Sequence, residues 1–312
     1  MRVFIIDTVH PSLLAGLRQM GFSVHEEYQK KSADIAWNQV EGLVIRSRFP
    51  LDASLLAQAT NLKFIARVGA GLENIDCDFC AAKCIELIAA PEGNRNAVAE
   101  HALGMLLSIL NRLRIADREV RSGIWLREEN RGFEIAGKTV GILGFGQMGS
   151  AFAEKLASFN CRILSFDKYK RNYATAGIEE VDLETLQAEA DILSIHIPQT
   201  AENIKLVNAE FLNQFKKPIY LINTARGKIV DSDALVAALE SGAVLGACLD
   251  VLEYEKSSFE NIFQGDKPAA LDYLLKSDKL ILSPHIAGWS FESNEKMAQV
   301  ILDKLKAMNY EL

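Results

Sequence analysis

The sequence predicts an α/β protein built from two doubly wound parallel-sheet domains, and three observations predict it. Short apolar runs alternate with helix-like segments from the first residues onward. A second alternating series begins at Lys138. The length, 312 residues, suits about two domains at roughly 100–200 residues each. Strands that alternate with helices form parallel sheets covered on both faces.

In the first series, Val3–Ile6 reads as a buried strand, and Ser12–Met20 has helical spacing that stops at Gly21. Gly42–Ile45 and Lys63–Val68 are further strands, with a helix over Ala53–Ala59 between them. The stretch from Ala97 to Arg121 lacks Pro and ends before Gly123, which predicts one long helix crossing between domains. Its surplus apolar surface suits a subunit contact. The second series offers six strands: Thr139–Leu143, Arg162–Phe166, Ile192–Ile195, Ile219–Ile222, Leu245–Leu249 and Leu280–Leu282. Six is the count of a dinucleotide-binding sheet. Glu253 to Lys279 reads as irregular and polar, and a last helix over Glu292 to Met308 is expected to return to the first domain.

Composition narrows the function classes. A 49% hydrophobic, 24% charged chain is that of a soluble globular protein. A net charge of −7 argues against a generally basic nucleic-acid or membrane-surface binder. The apolar run Ala102–Leu110 is far shorter than the roughly 18–20 residues of a membrane span. The start reaches Asp7 after the apolar residues Val3–Ile6, so no signal peptide is expected. Five Cys in so long a chain do not make a disulfide framework. Cys77, Cys80 and Cys84 have helical spacing without a nearby further ligand, which reads as small buried or half-buried thiols rather than a metal site. A cytoplasmic, reduced, metal-free protein is expected.

The second series opens with a phosphate-binding pattern. Thr139–Leu143 runs directly into Gly144-Phe145-Gly146-Gln147-Met148-Gly149, and an amphipathic helix follows. Glycines in this pattern permit the tight turn, the approach of a pyrophosphate and close strand–helix packing, and the helix N-terminus faces the anion. Asp167 ends the next strand 18 residues after Gly149, where a carboxylate binds the ribose 2′-hydroxyl and repels a 2′-phosphate. NAD is therefore expected over NADP, although Lys168, Lys170 and Arg171 follow closely.

Open α/β sheets bind ligands at the carboxyl ends of their strands. His196, Arg226, Asp250, Glu253, Glu255 and His285 all stand just past such ends. An Arg, a Glu and a His beside a nicotinamide would be a hydride-transfer set: the Arg for a substrate carboxylate, the His for the alcohol proton.

With these motifs in place, the chain resembles the D-isomer-specific 2-hydroxyacid dehydrogenases, among them the phosphoglycerate dehydrogenases. The resemblance rests on Ile45–Arg48, Val68–Asp76, Asn96–Glu100, the glycine turn, His196–Pro198, Asn223–Asp231 and Pro284–Gly288, and covers nearly the whole chain. It implies a flavodoxin-like substrate domain from residues 1–96 and 287–312, and a Rossmann NAD-binding domain over residues 97–286. By the same resemblance His285 is the general acid/base, Glu255 orients it, and Arg226 holds the substrate carboxylate and carbonyl. Gly69, Ala70 and Gly71 help grip that carboxylate. Asp250 lies beside the nicotinamide, His196 and Pro198 line the adenosine side, and Gln147, Met148 and Thr224 join the cofactor set. The long-helix region implies a homodimer through the cofactor domain.

Two features depart from the family. Lys256 follows Glu255 where family members usually carry Pro, and the segment 256–279 looks longer than usual. Glu253 is the competing register. The chain is expected to lack the C-terminal serine-sensing domain of long phosphoglycerate dehydrogenases. Arg46 and Arg48, two apart in extended chain, point to one side and suit a phosphate, as in the phosphoglycerate dehydrogenases that open serine biosynthesis. The bland reading is two solvated loop arginines. Other substrates are glyoxylate or hydroxypyruvate, D-lactate and 4-phosphoerythronate. A corepressor of the C-terminal-binding-protein type shares this fold as an NAD-responsive binding module.

Overall fold

The computed structural model describes residues 1–255, 267–308 and 310. Their contacts divide into two compact units. The first takes Met1–Arg95 and the chain from Trp289 onward; the second runs from Asn96 to Glu255 and resumes up to Gly288.

Five strands form the first unit's sheet: β1 (Arg2–Ile5), β2 (Ser23–Glu26), β3 (Gly42–Ile45), β4 (Phe64–Arg67) and β5 (Glu86–Ala89). Their order is β2-β1-β3-β4-β5, all parallel, which is the flavodoxin-like order. Strand alternation divides the core between the two faces. Val3 and Ile5 pack with Leu13, Leu17, Ile301 and Leu305. Phe4 and Ile6 pack with Trp37, Ile45, Leu51 and Cys80 on the other face. The last helix, Phe291–Ala307, thus closes the first unit's core. Among the three helix-spaced thiols only Cys80 is buried; Cys77 and Cys84 are exposed, because the helix is just Cys77–Ala82 and Cys84 lies beyond it at φ 55°.

Seven strands form the second sheet: β6 (Thr139–Leu143), β7 (Arg162–Phe166), β8 (Ile178–Glu180), β9 (Ile192–Ile195), β10 (Ile219–Asn223), β11 (Val244–Leu249) and β12 (Leu280–Leu282). The order is β12-β11-β10-β9-β6-β7-β8, again all parallel. The chain reverses direction of travel between β6 and β9, so the carboxyl ends of those strands frame the ligand crevice of a dinucleotide-binding fold.

Three expectations are corrected. The long helix starts earlier, at Pro91, and is broken: Pro91–Leu110 is followed by Leu113–Arg121. Proline is tolerated in a first helical turn, where its missing N–H has no intrahelical partner. The break falls at Arg112, left-handed at φ 54°, and Phe133 N–H takes the Leu110 carbonyl. β2 and β8 are too polar and exposed to announce themselves as apolar runs. Ala269–Lys276, within the stretch expected to be irregular, is a helix packed through Leu271 and Leu274. Lys256 and its neighbours to residue 266 lie outside the described residues. No described helix is long and apolar enough to cross a membrane, and no described His, Cys, Asp and Glu cluster could hold a metal.

Candidate active site

The glycine turn joins β6 to the helix Gln147–Leu156. Gly144 sits at φ +95°, and a Cβ there would lie 2.7 Å from the His196 carbonyl oxygen. A Cβ on Gly149 would lie 2.1 Å from the Gly144 carbonyl oxygen, so helix and turn approach as closely as backbone allows. Gly146, by contrast, faces open space and caps the helix without a side chain. The N-terminal N–H groups, those of Gln147 and Met148 included, are thus open to an anion.

Asp167 stands at the end of β7 and binds this turn. One carboxylate oxygen accepts from Phe145 N at 2.8 Å, and the other from Tyr169 N and Lys170 N, each at 2.9 Å. Burial alone would raise its pKa; the three N–H bonds and the Lys170 charge outweigh it and hold the group below the usual Asp value. The basic residues that follow are engaged locally. Lys168 pairs with Glu202, Lys170 Nζ donates to the Phe145 carbonyl, and Arg171 donates to the carbonyls of Asp167 and Lys170.

At the end of β9, His196 Nε2 is 2.8 Å from Ser194 Oγ, and burial pushes the imidazole down to about 4, so it is neutral at pH 7. The exposed Pro198 follows it, and its carbonyl accepts from Asn203. Past β10, Thr224 is 8% exposed, and its Oγ1 has no hydrogen-bond partner. An orphaned buried hydroxyl past the carboxyl end of β10, in the same sheet as an open glycine turn, fits a dinucleotide in this unit. Asn223 braces the next turn, donating to the Arg226 carbonyl and accepting from Ala225 N. Arg226 itself is half-buried, with Nη1 on the Ala225 carbonyl.

The ends of β11 and β12 carry the titratable cluster. His285 Nδ1 lies 2.8 Å from Glu255 Oε2, and Glu255 Oε1 accepts from Leu252 N at 2.5 Å. Glu253 is engaged elsewhere: it accepts from Ser232 N and pairs with Lys205. The structure therefore brings Glu255, not Glu253, to His285. Because a carboxylate only accepts, Nδ1 carries the proton of that bond, and Nε2 is the ring nitrogen whose protonation can change while the bond is kept. His285 is in the left-handed region at φ 54°, an uncommon conformation for a non-glycine residue.

Asp250 holds that conformation. It is 1% exposed, and its carboxylate accepts from Ser283 Oγ (2.6 Å), Ile286 N (2.9 Å) and Ala287 N (2.8 Å), while its carbonyl accepts from His285 N. These protein donors make the Asp250 carboxylate a support of the His285 turn. His101, on the helix Pro91–Leu110, completes the network, with Nε2 2.9 Å from Ser283 Oγ and 3.5 Å from Asp250 Oδ1. Sequence reasoning left His101 as a packed or surface residue. Its partner Ser283 lies 182 positions away, which no local pattern reveals.

In the first unit the two candidate arginines part ways. Arg48 donates to the carbonyls of Ile6, Glu27 and Lys30, so it pins the main chain. The residues after Ile45 bend instead of continuing the strand, which removes the alternation that placed both side chains together. Arg46 Cζ instead lies 3.8 Å from the centroid of the Trp289 ring. Gly69, Ala70 and Gly71 follow β4; the Gly69 carbonyl accepts from Ala90 N, and the Arg67 guanidinium folds over Gly69.

Residues 103–287 match the family model described as D-isomer specific 2-hydroxyacid dehydrogenase, NAD binding domain. The chain belongs to the D-isomer-specific 2-hydroxyacid dehydrogenase family. Within this dehydrogenase family, a D-3-phosphoglycerate dehydrogenase of Archaeoglobus fulgidus is 31% identical over 312 residues, covering 99% of this chain and 57% of its own. The chain thus spans little more than half the length of that relative. A glyoxylate reductase of Thermofilum pendens is 37% identical over 265 residues, 83% of this chain and 75% of its own. The crystal structure of a D-lactate dehydrogenase from Aquifex aeolicus, complexed with NAD and lactic acid, is 28% identical with a TM-score of 0.82, covering 99% of this chain and 95% of that one.

Proposed function

We propose that this chain is an NAD-dependent D-2-hydroxyacid dehydrogenase that oxidises 3-phospho-D-glycerate to 3-phosphohydroxypyruvate, the entry step of serine biosynthesis. The observation that carries the dehydrogenase reading is the His285–Glu255 pair at 2.8 Å, at the carboxyl edge of a dinucleotide-binding sheet. In the oxidation, neutral His285 takes the C2 hydroxyl proton on Nε2, and Glu255 stabilises the imidazolium that results. Arg226 holds the substrate carboxylate. NAD held at the glycine turn would supply the hydride acceptor for the C2 hydrogen. In the reduction, the imidazolium returns the proton to the carbonyl oxygen.

The cofactor preference is supported by Asp167, whose negative charge opposes a 2′-phosphate, and by the local engagement of Lys168, Lys170 and Arg171. Asp167→Ala is expected to narrow the NAD/NADP ratio of kcat/KM by at least tenfold, on the order of one charge–charge contact. A wild-type preference for NADP would overturn this assignment.

Arg46 supports the phosphate. Among the described residues nothing accepts a hydrogen bond from its guanidinium, and burial lowers its pKa against the opposing charge of Asp7. A hydrogen bond to a charged group contributes ~1.5–3 kcal/mol, or about 10- to 100-fold. Arg46→Ala is expected to lower by that factor the kcat/KM ratio of 3-phospho-D-glycerate over D-glycerate. Arg48→Ala should instead lower Tm and leave the ratio as it is. An unchanged ratio in Arg46→Ala favours the second reading, a glyoxylate or hydroxypyruvate reductase, which the similarity to the Thermofilum pendens enzyme supports.

The same reading assigns a homodimer. Trp125 and Phe133, 76% and 57% exposed, leave apolar surface beside the helix Leu113–Arg121 for a second copy to cover.

A further inference from the structure

We infer that Trp289 is a specificity-determining residue: its indole holds the Arg46 guanidinium 3.8 Å from the ring centroid and so reserves that cation for the substrate phosphate. This inference rests on the phosphoglycerate reading above and goes beyond it by naming what positions the phosphate ligand.

The two arginines of this loop show the contrast. Arg48 is satisfied by three main-chain carbonyls, which hold it in place but also engage its donors. Arg46 is held differently at each end. Its main-chain N–H is fixed by Asp7 Oδ2 at 2.5 Å, and its cationic end rests on Trp289. A carboxylate partner would orient a guanidinium while neutralising it and occupying its N–H fork. An aromatic face orients it through the ring quadrupole and leaves the N–H donors on the guanidinium edge. Among the described residues no acceptor meets those donors. Burial lowers the Arg46 pKa, so a desolvated charge stands here that an anion would stabilise. A phosphate, with several acceptor oxygens, matches a fork held in this way.

Trp289 is itself anchored. It directly precedes Ser290, the N-cap of the helix Phe291–Ala307, where Ser290 N donates to Ser293 Oγ and Ser293 N to Ser290 Oγ, both at 3.0 Å. The capping box fixes the backbone from which the indole projects, and the residue stays 52% exposed. An exposed Trp with one face against a cation costs solubility; anchoring that cation gives it a role that burial does not explain.

The test is steady-state kinetics on the full chain, with 3-phosphohydroxypyruvate and hydroxypyruvate as paired substrates. Trp289→Leu is expected to lower the kcat/KM ratio of phosphorylated over unphosphorylated substrate roughly three- to tenfold, through KM, as for a partly desolvated cation–π contact. Trp289→Phe, which keeps an aromatic face, should restore most of the ratio, and this rescue separates positioning from misfolding. In an Arg46→Ala background, Trp289→Leu should produce no further fall. If the wild type prefers the phosphorylated acid but Trp289→Leu lowers both substrates equally, or lowers the ratio as much without Arg46, this inference alone is overturned. If the wild type uses both acids alike, the phosphoglycerate reading falls and this inference with it.

Discussion

His285→Ala is expected to lower kcat/KM by about 10²- to 10⁴-fold in both reaction directions, the range a positioned general acid/base contributes. The two directions lose rate for opposite reasons. Oxidation loses the neutral imidazole that takes the hydroxyl proton; reduction loses the imidazolium that returns it. The wild type therefore uses the ring in a different protonation state in each direction, and the variant has neither. Glu255→Gln gives the intermediate case: His285 keeps a hydrogen-bond partner at Nδ1, but the positive charge that develops on the ring in the shared transition state loses its counter-charge, so both directions are expected to slow, by less than in His285→Ala. Glu253→Gln leaves the pH profiles alone, because Glu253 faces Ser232 and Lys205. Pre-steady-state and steady-state rates across pH in both directions check these expectations. Near-wild-type rates in His285→Ala would remove His285 from the chemistry. Cofactor titration by NADH fluorescence shows whether the variant still folds its glycine turn.

Much of this site is legible because its parts are local. β6, the glycine turn and the helix that follows are contiguous, so one stretch of sequence shows strand, turn and anion-facing helix start together. His285 and Arg226 stand directly after apolar runs, and the strand-end rule marks them without knowledge of the fold. What failed to show depends on distant or subtle geometry. The break at Arg112 hides because helical spacing continues on both sides of it and no Gly or Pro marks it. β2 pairs with β1 through its backbone while its side chains stay polar, so periodicity cannot find it. Arg48 looked like the twin of Arg46, but the loop bends, and its guanidinium reaches carbonyls 18 to 42 positions away. Trp289 likewise meets Arg46 across more than half the chain. The spacing from Asp250 already selects Glu255 over Glu253 in the sequence; the fold adds that Lys205 and Ser232 engage Glu253.

Asp250→Ala is expected to cost about 3–5 kcal/mol of stability, the range for removing one partner of a buried charged network. The residue is 1% exposed, and its carboxylate accepts from Ser283 Oγ, Ile286 N and Ala287 N. With Ala in place, Ser283 Oγ still has His101 Nε2 within reach, but the Ile286 and Ala287 N–H groups lose their acceptor, each at a cost of roughly 1–3 kcal/mol before relaxation. Relaxation has an obvious route. His285 sits at φ 54°, and the donors that Asp250 gathers are the N–H groups of the two residues after it. When they are released, the turn can leave the left-handed region, and the imidazole no longer keeps its 2.8 Å contact with Glu255. Activity should therefore fall by more than the loss of folded protein explains. Asp250→Asn separates the two effects. Its amide oxygen can keep one N–H bond, but its NH₂ group faces donors, so stability recovers in part while the turn stays displaced. Thermal unfolding paired with kcat at a temperature where each variant is folded makes the comparison. Wild-type kcat in folded Asp250→Ala would show that the His285 turn holds its shape without this carboxylate.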